Sequence, residues 1–226
     1  MNSKFFTKNA YLVYTNITQM TAAEKPIKNI IFDLGGVILN IDPALTAHAF
    51  NKLGLSDYEG LAQGRPKNLF EQYEMGRCSS EDFRSEIKKW ISTNTSTEQI
   101  DMAWNAMLLD LPIERLTFLL SLKDKYRLFL LSNTNEIHIN RYSQYLNERH
   151  GILDLSHIFE KQYYSYTIGM RKPNADIFEF VLAENALLAH ETIFIDDSPQ
   201  HIETAGRLGI HTHHLTKLQT IVDLKF

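Results

Sequence analysis

Cysteine is almost absent from the chain: among 226 residues there is one, Cys78. A single thiol rules out an internal disulfide and a cysteine-based zinc site, and it makes a reducing cytoplasm the expected setting. Long apolar runs are missing as well, none approaching the roughly 20 residues that cross a membrane. The patch Ala10-Tyr11-Leu12-Val13-Tyr14 is too short and too polar-flanked for a secretory leader, so residues 1–26 read as an extension, frayed or packed on the surface. Lysine and arginine never cluster, and the net charge is -4. Without a basic stripe to neutralise phosphates, a nucleic-acid partner is not expected. What remains is a chain with 44% apolar residues and no low-complexity tract, long enough to bury a full core.

The most informative stretch is Ile30-Ile31-Phe32-Asp33-Leu34-Gly35-Gly36, where a β-favouring apolar run breaks into a carboxylate and two glycines. It reads as a buried strand that delivers Asp33 to its C-terminal lip, where open α/β sheets place their chemistry. By itself it is equally a strand ending in an Asp-containing turn. Asp42-Pro43 then starts a helix through Ala49, Phe50 and Leu53, which Gly54 stops. From Leu55 to Leu111 the pattern is helical, with Phe83, Ile87, Trp90 and Ile91 on one stripe and Ile100, Trp104, Met107 and Leu108 on another. Beyond Pro112 strands and helices alternate. Helix 113–122 has Leu116, Leu119 and Leu120 on one side, and strands follow at 127–131, 161–165 and 192–195. A helix from about Glu136 to Asn147 lies between the first two of these, and an edge strand at 210–215 closes the series. The expected fold is α/β, a doubly wound, mainly parallel, Rossmann-like sheet built from 27–41 and 112–226. Residues 42–111 form a small helical cap over the strand ends, the plainer reading being an ordinary crossover.

Complementary groups stand at the other strand ends. Asp196-Asp197 adds two carboxylates whose repulsion is relieved by a divalent cation, and oxygen-only ligands favour Mg²⁺. Ser132 and Asn133, with the backbone N–H groups of their turn, offer neutral donors to an anion. Lys172, between Gly169 and Pro173, offers a positive charge. A carboxylate, a metal, a hydroxyl and a lysine on one lip make a phosphoryl-transfer site.

Asp33-Leu34-Gly35-Gly36-Val37, Leu131-Ser132-Asn133-Thr134, Gly169-Met170-Arg171-Lys172-Pro173 and Ile195-Asp196-Asp197-Ser198 together resemble the four ordered motifs of the haloacid dehalogenase (HAD) superfamily. The likeness is nearest to its sugar-phosphatase-like branch with a helical cap after the first strand. It implies that Asp33 attacks phosphorus to give an aspartyl-phosphate that water hydrolyses. It also implies Mg²⁺ on Asp33, the Gly35 carbonyl and Asp197, with Asp196 behind them or bridged by water. Leu34, Gly35, Ser132, Asn133 and Lys172 would hold the phosphate, Lys172 bridging it to Asp33. The implied function is Mg-dependent hydrolysis of small phosphorylated metabolites, with sugar phosphates a candidate class.

One departure stands out: most phosphatases of the superfamily carry a second aspartate two residues after the nucleophile, and here that position is Gly35. The proton shuttle is lost, a group typically worth about 10²–10⁴-fold in rate. Asp42, His48 and His201 are the candidate replacements. Asp42 reads first as a helix cap and His48 as a surface or partly buried histidine, while His201, one helical turn after the acidic pair, is the best placed of the three, as a group behind the metal ligands. His211, His213 and His214 look like a metal cluster but fit the polar outward face of an edge strand. Tyr73, Glu74, Arg77 and Trp104 are cap residues that either face the substrate or serve the cap itself. Competing functions are a silent or weak phosphate-binding protein and a metal-independent 2-haloacid dehalogenase, in which a paired acidic motif has little purpose. A response-regulator receiver has similar groups with the acidic pair first, the reverse of the order here. No oligomeric state follows from the sequence.

Overall fold

The computed structural model describes residues 26–55, 58, 69–92 and 94–226, so the reading of 1–26 as an extension lies, but for its last residue, outside the described residues. In chain order the elements are β1 (Asn29–Phe32), α1 (Pro43–Lys52), α2 (Leu69–Glu74), α3 (Ser80–Lys88), α4 (Thr97–Asn105) and α5 (Ile113–Leu122). Then come β2 (Arg127–Ser132), α6 (Glu136–His150), β3 (Lys161–Tyr164), the single turn α7 (Ser165–Ile168) and α8 (Ala175–Glu184). The chain continues through β4 (Thr192–Asp196), α9 (Pro199–Arg207) and β5 (His211–His214).

The five strands form one parallel sheet in the order β3-β2-β1-β4-β5. Phe32 of β1 lies level with Leu130 of β2 and Ile195 of β4, so Asp33, Leu131 and Asp196 emerge side by side at the C-terminal rim. The chain winds outward from β1 in one direction, then resumes at β4 in the other. The crevice between β1 and β4 is therefore the switch point, where such sheets bind ligands. Both faces are covered, which is why the three inner strands β1, β2 and β4 read as largely apolar runs, while the edge strands β3 and β5 do not. Ile30, Phe32, Leu128, Leu130 and Ile195 pack on α5 and α6 through Leu116, Leu119, Tyr142 and Leu146. Ile31, Phe129, Leu131 and Phe194 pack on α8 and α9 through Ile177, Phe178, Val181 and Ala205.

Helices α1–α4 gather a separate apolar cluster, with Phe50, Phe70, Phe83, Ile87, Ile100 and Trp104 at its centre. Three of the four helices, α1, α3 and α4, have capped starts: Asp42 accepts from Ala44 N at 3.0 Å, and Ser79 with Asp82 and Ser96 with Gln99 form capping boxes. The block is seated on the sheet domain by α6. Ile137 joins its cluster, and Asn135, 0% exposed, accepts from Trp104 Nε1 at 3.1 Å. His138 closes the seam. Its ring stacks on Trp104 with centroids 4.9 Å apart, its Nε2 donates to the Trp104 carbonyl at 3.1 Å, and its Nδ1 accepts from Asn135 Nδ2. The two connections to the block pair with each other: Asn40 N donates to Asp110 O at 2.9 Å, and Leu109 N to Asn40 O at 3.0 Å.

Several expected details are corrected. Trp90 is 41% exposed because α3 ends at Lys88 and the stripe ends with it; Leu120 is 45% exposed because the buried face of α5 runs through Leu116, Leu119 and Leu122. Met107 and Leu108 lie beyond α4, Leu108 pairing antiparallel with Ile41 in the connection. Helix α6 runs three residues past Asn147 to His150 and stops at Gly151, which takes the left-handed φ of 68° that terminates many helices.

Candidate active site

The site is built on Asp33, carried one residue past β1 and 7% exposed. Opposite it Lys172 is fully buried, and its ammonium has three partners: Asp33 Oδ1 at 2.7 Å, Asp196 Oδ2 at 2.7 Å and the Leu131 carbonyl at 2.8 Å. A buried ammonium is tolerated only when each N–H is used and its charge is met, and both hold here. Burial alone would lower the Lys172 pKa, but Asp33 and then Asp196 outweigh it and hold the group protonated. The loop bearing Lys172 is fixed by the side-chain amide of Asn133. Asn133 Oδ1 accepts from Lys172 N at 2.9 Å and its Nδ2 donates to Lys172 O at 2.8 Å. The Lys172–Pro173 peptide is cis.

The two carboxylates on Lys172 are unequal. Burial pushes Asp33 up, Lys172 opposes it and the Asp196 charge adds to the rise, leaving a pKa of about 7. At Asp196 burial acts in the same direction, but Lys172 and His201 prevail and hold it at about 2. Its oxygens are committed: His201 Nδ1 lies 2.9 and 3.0 Å from them, and Ser198 N donates to Oδ1 at 2.8 Å. Asp197 is the exposed member of the pair, its pKa raised by burial and then by Asp196. Ligand oxygens of Asp33, Asp196 and Asp197 lie within 4.8 Å of one another, close enough to share a cation. Gly36 makes room for the Asp197 carboxylate. A Cβ there would sit 2.2 Å from Asp197 Oδ2, and the residue has a φ of +77°.

Ser132, 3% exposed, has its hydroxyl spent on nothing better than a 3.5 Å contact with the Asn133 carbonyl, so it remains available as a donor. Leu34 is buried and Gly35 half-buried beside Asp33. A Cβ on Gly35 would meet Ile41 Cδ1 at 3.0 Å: the Ile41 side chain stands where a residue larger than glycine would begin.

Of the candidate proton shuttles, Asp42 is used as the cap of α1, His48 is exposed on that helix, and His201 is bound to Asp196. The histidines of β5 form no metal cluster among the described residues. His211 Nε2 donates to His190 O, His214 Nε2 donates to Asp197 O at 3.0 Å, and His213 Nε2 is buried without a partner. Tyr73 and Trp104 are 2% and 4% exposed and belong to the interior of the α1–α4 block. Arg77 is exposed, and Glu74 is bound by Arg171. Two contributions had no signal in the sequence, the bracketing of the Lys172 peptide by the Asn133 side chain and the pairing of Arg171. Both join residues far apart in the chain.

A carboxylate at the rim of the central strand, a buried lysine and an acidic pair one strand over, on a doubly wound parallel sheet with a helical block packed on α6, define the class: a hydrolase built on an open α/β sheet. A family model described as haloacid dehalogenase-like hydrolase matches residues 27–209, and the chain belongs to that family. Among its relatives is D-ribitol-5-phosphate phosphatase of Bacteroides thetaiotaomicron, 32% identical over 187 residues, which are 82% of this chain and 90% of the relative. A HAD family enzyme from the same organism, solved with magnesium and inorganic phosphate, superposes with a TM-score of 0.79 at 35% identity, covering 86% of this chain and 97% of that one. A predicted HAD-like family hydrolase from Porphyromonas gingivalis gives 0.78 at 35% identity, covering 86% and 94%.

Proposed function

We propose that this protein is a Mg²⁺-dependent phosphomonoesterase acting on small phosphorylated metabolites, sugar and sugar-alcohol phosphates foremost, in a cytoplasmic setting. The observation that carries the reading is the convergence of Asp33, Asp196 and Asp197 within 4.8 Å, with Lys172 Nζ 2.7 Å from both Asp33 and Asp196. The relative named for a phosphorylated sugar alcohol and the related enzyme solved with magnesium and phosphate support it. In a metal-independent dehalogenase Asp197 would add repulsion that Lys172 and His201 offset only in part, since its pKa stays raised.

The donor set fits the metal: all oxygen, with Asp33, Asp197 and the Gly35 carbonyl as the groups that would hold it. Bound there, Mg²⁺ supplies the positive charge that lets a carboxylate meet a phosphate dianion. Asp196, its oxygens given to Lys172, His201 and Ser198 N, orients the lysine from behind. Ser132 Oγ, the backbone N–H groups of Leu34, Gly35 and Asn133, and the Lys172 ammonium hold the phosphate oxygens. Asp33 attacks phosphorus, a P–O bond forms to its carboxylate, and the ester P–O bond breaks with its electron pair going to the leaving oxygen. Water then cleaves the acyl phosphate, releasing phosphate and restoring Asp33. No side chain at position 35 can protonate the leaving oxygen, so that proton comes from solvent. Residues 42–111 serve as the cap that shields this exchange.

A panel of phosphate esters including D-ribitol 5-phosphate, assayed with Mg²⁺ and with a chelator, tests the reading. Phosphate release that needs the metal and disappears in Asp33→Asn is expected. A panel that shows no turnover above the Asp33→Asn background would leave a silent phosphate binder instead.

A further inference from the structure

Arg171 and Lys172 are neighbours in the chain whose side chains go opposite ways. Lys172 runs down to the sheet rim, while the Arg171 guanidinium rises to α2. There Nη1 donates to Glu71 Oε1 at 3.0 Å, and Nε and Nη2 donate to Glu74 Oε2 at 3.2 and 2.9 Å. The Arg171 side chain is 22% exposed and that of Glu74 23%, so the pair is largely shielded from water. The Glu74 carboxyl, raised by burial, is drawn back by Arg171. Behind it the turn after α2 touches the sheet domain so closely that a Cβ on Gly76 would lie 2.1 Å from the Tyr166 carbonyl. Tyr73 of α2 accepts from Ile137 N at 3.2 Å. Helix α2 is thus the element of the helical block set against the loop that bears the lysine, and Arg171 is the charged link between them.

We propose that Arg171 is a positioning residue: by clamping its loop to Glu71 and Glu74 of α2, it holds the adjacent Lys172 on Asp33 whenever the helical block is seated. The Asn133 amide fixes the Lys172 peptide from the side of β2, and Arg171 fixes it from above. Planar guanidinium geometry suits this role, because a fork on two carboxylates sets direction as well as distance. The inference rests on the phosphatase reading and adds to it that Lys172 depends on the seating of α2.

Steady-state kinetics of Arg171→Met, Arg171→Lys, Glu74→Gln and the Arg171→Met/Glu74→Gln double variant test it, with p-nitrophenyl phosphate and D-ribitol 5-phosphate as substrates. Arg171→Met is expected to lower kcat roughly 10–100-fold on both esters, the scale of a displaced catalytic group. Arg171→Lys should recover part of that loss, and the double variant should be no worse than Arg171→Met. Urea midpoints separate this from unfolding. A loss confined to KM on the larger ester would mean that Arg171 only seats the roof, and an unchanged kcat would mean that it positions nothing; either overturns the inference while the phosphatase reading stands. A wild-type protein that hydrolyses neither ester, nor any other of the panel, overturns both.

Discussion

Lys172 sets the electrostatics of the rim, since without its charge Asp33 and Asp196 would face each other with nothing between them. Gly36 sets its shape. Its φ of +77° is costly for any residue with a Cβ, and that atom would press on Asp197 Oδ2 from 2.2 Å. Gly36→Ala is therefore expected to push Asp197 aside and weaken Mg²⁺ binding by roughly 10–100-fold. Gly151→Ala, with a φ of +68° and open space around it, carries similar backbone strain without the clash. Titrating activity against Mg²⁺ separates the two: the Gly151 variant should keep its metal dependence, and equal losses in both would refute the account of Gly36. At this scale the sequence was legible wherever a group stands at the end of an apolar run. Asp33, Ser132, Asp196 and Asp197 do; Lys172 instead sits in the loop after α7, eight residues beyond β3, and was legible from its motif with Gly169 and Pro173. The geometry brings Asp33, Lys172 and the acidic pair together, with Ser132 at the end of the neighbouring strand. Arg171 and the Asn133 side chain were not legible as links, because what they hold is named only by the folded chain.

Helix α6 joins the two layers of the molecule through Asn135, Ile137 and His138. The His138 ring is neutral, its Nε2–H given to the Trp104 carbonyl, and burial holds its pKa near 4 against an ordinary 6.5. An unfolded chain takes up a proton there below pH 6.5, whereas the folded one does not until about pH 4. Stability contributed by this residue is therefore present above pH 6.5 and is lost as pH falls toward 4, by roughly 3 kcal/mol over the window. Urea unfolding of the wild type and His138→Gln at pH 7 and pH 4.5 checks this. The stability gap between them should narrow at the lower pH, and parallel profiles would contradict it. Elements were readable to the extent that periodicity and caps agreed. The capped start of α1 at Asp42 was expected from sequence, whereas Trp90 extended a stripe past the end of α3 and Leu120 widened that of α5 beyond its buried face. Pattern reports the direction a side chain takes in an ideal helix. It does not report where a neighbour ends.

Among the described residues, one sheet carries the groups and one helical block packs on its helix α6. The topology explains why: the order β3-β2-β1-β4-β5 opens a crevice beside β1, and each strand bordering it ends in a residue with chemistry. The order of the motifs along the chain made this architecture readable before any coordinate. The contacts that seat the block on the sheet, Trp104 on Asn135 and Arg171 on α2, were not readable, since they depend on how two separately packed clusters meet. Every part of the functional account depends on Asp33 becoming covalently phosphorylated. The direct measurement is acid-quenched single turnover with a phosphate ester labelled in its phosphoryl group, followed by mapping of the labelled peptide. The account predicts transient label on Asp33 that requires Mg²⁺ and is absent from Asp33→Asn. Full turnover by Asp33→Asn, or label on a different residue, would contradict it.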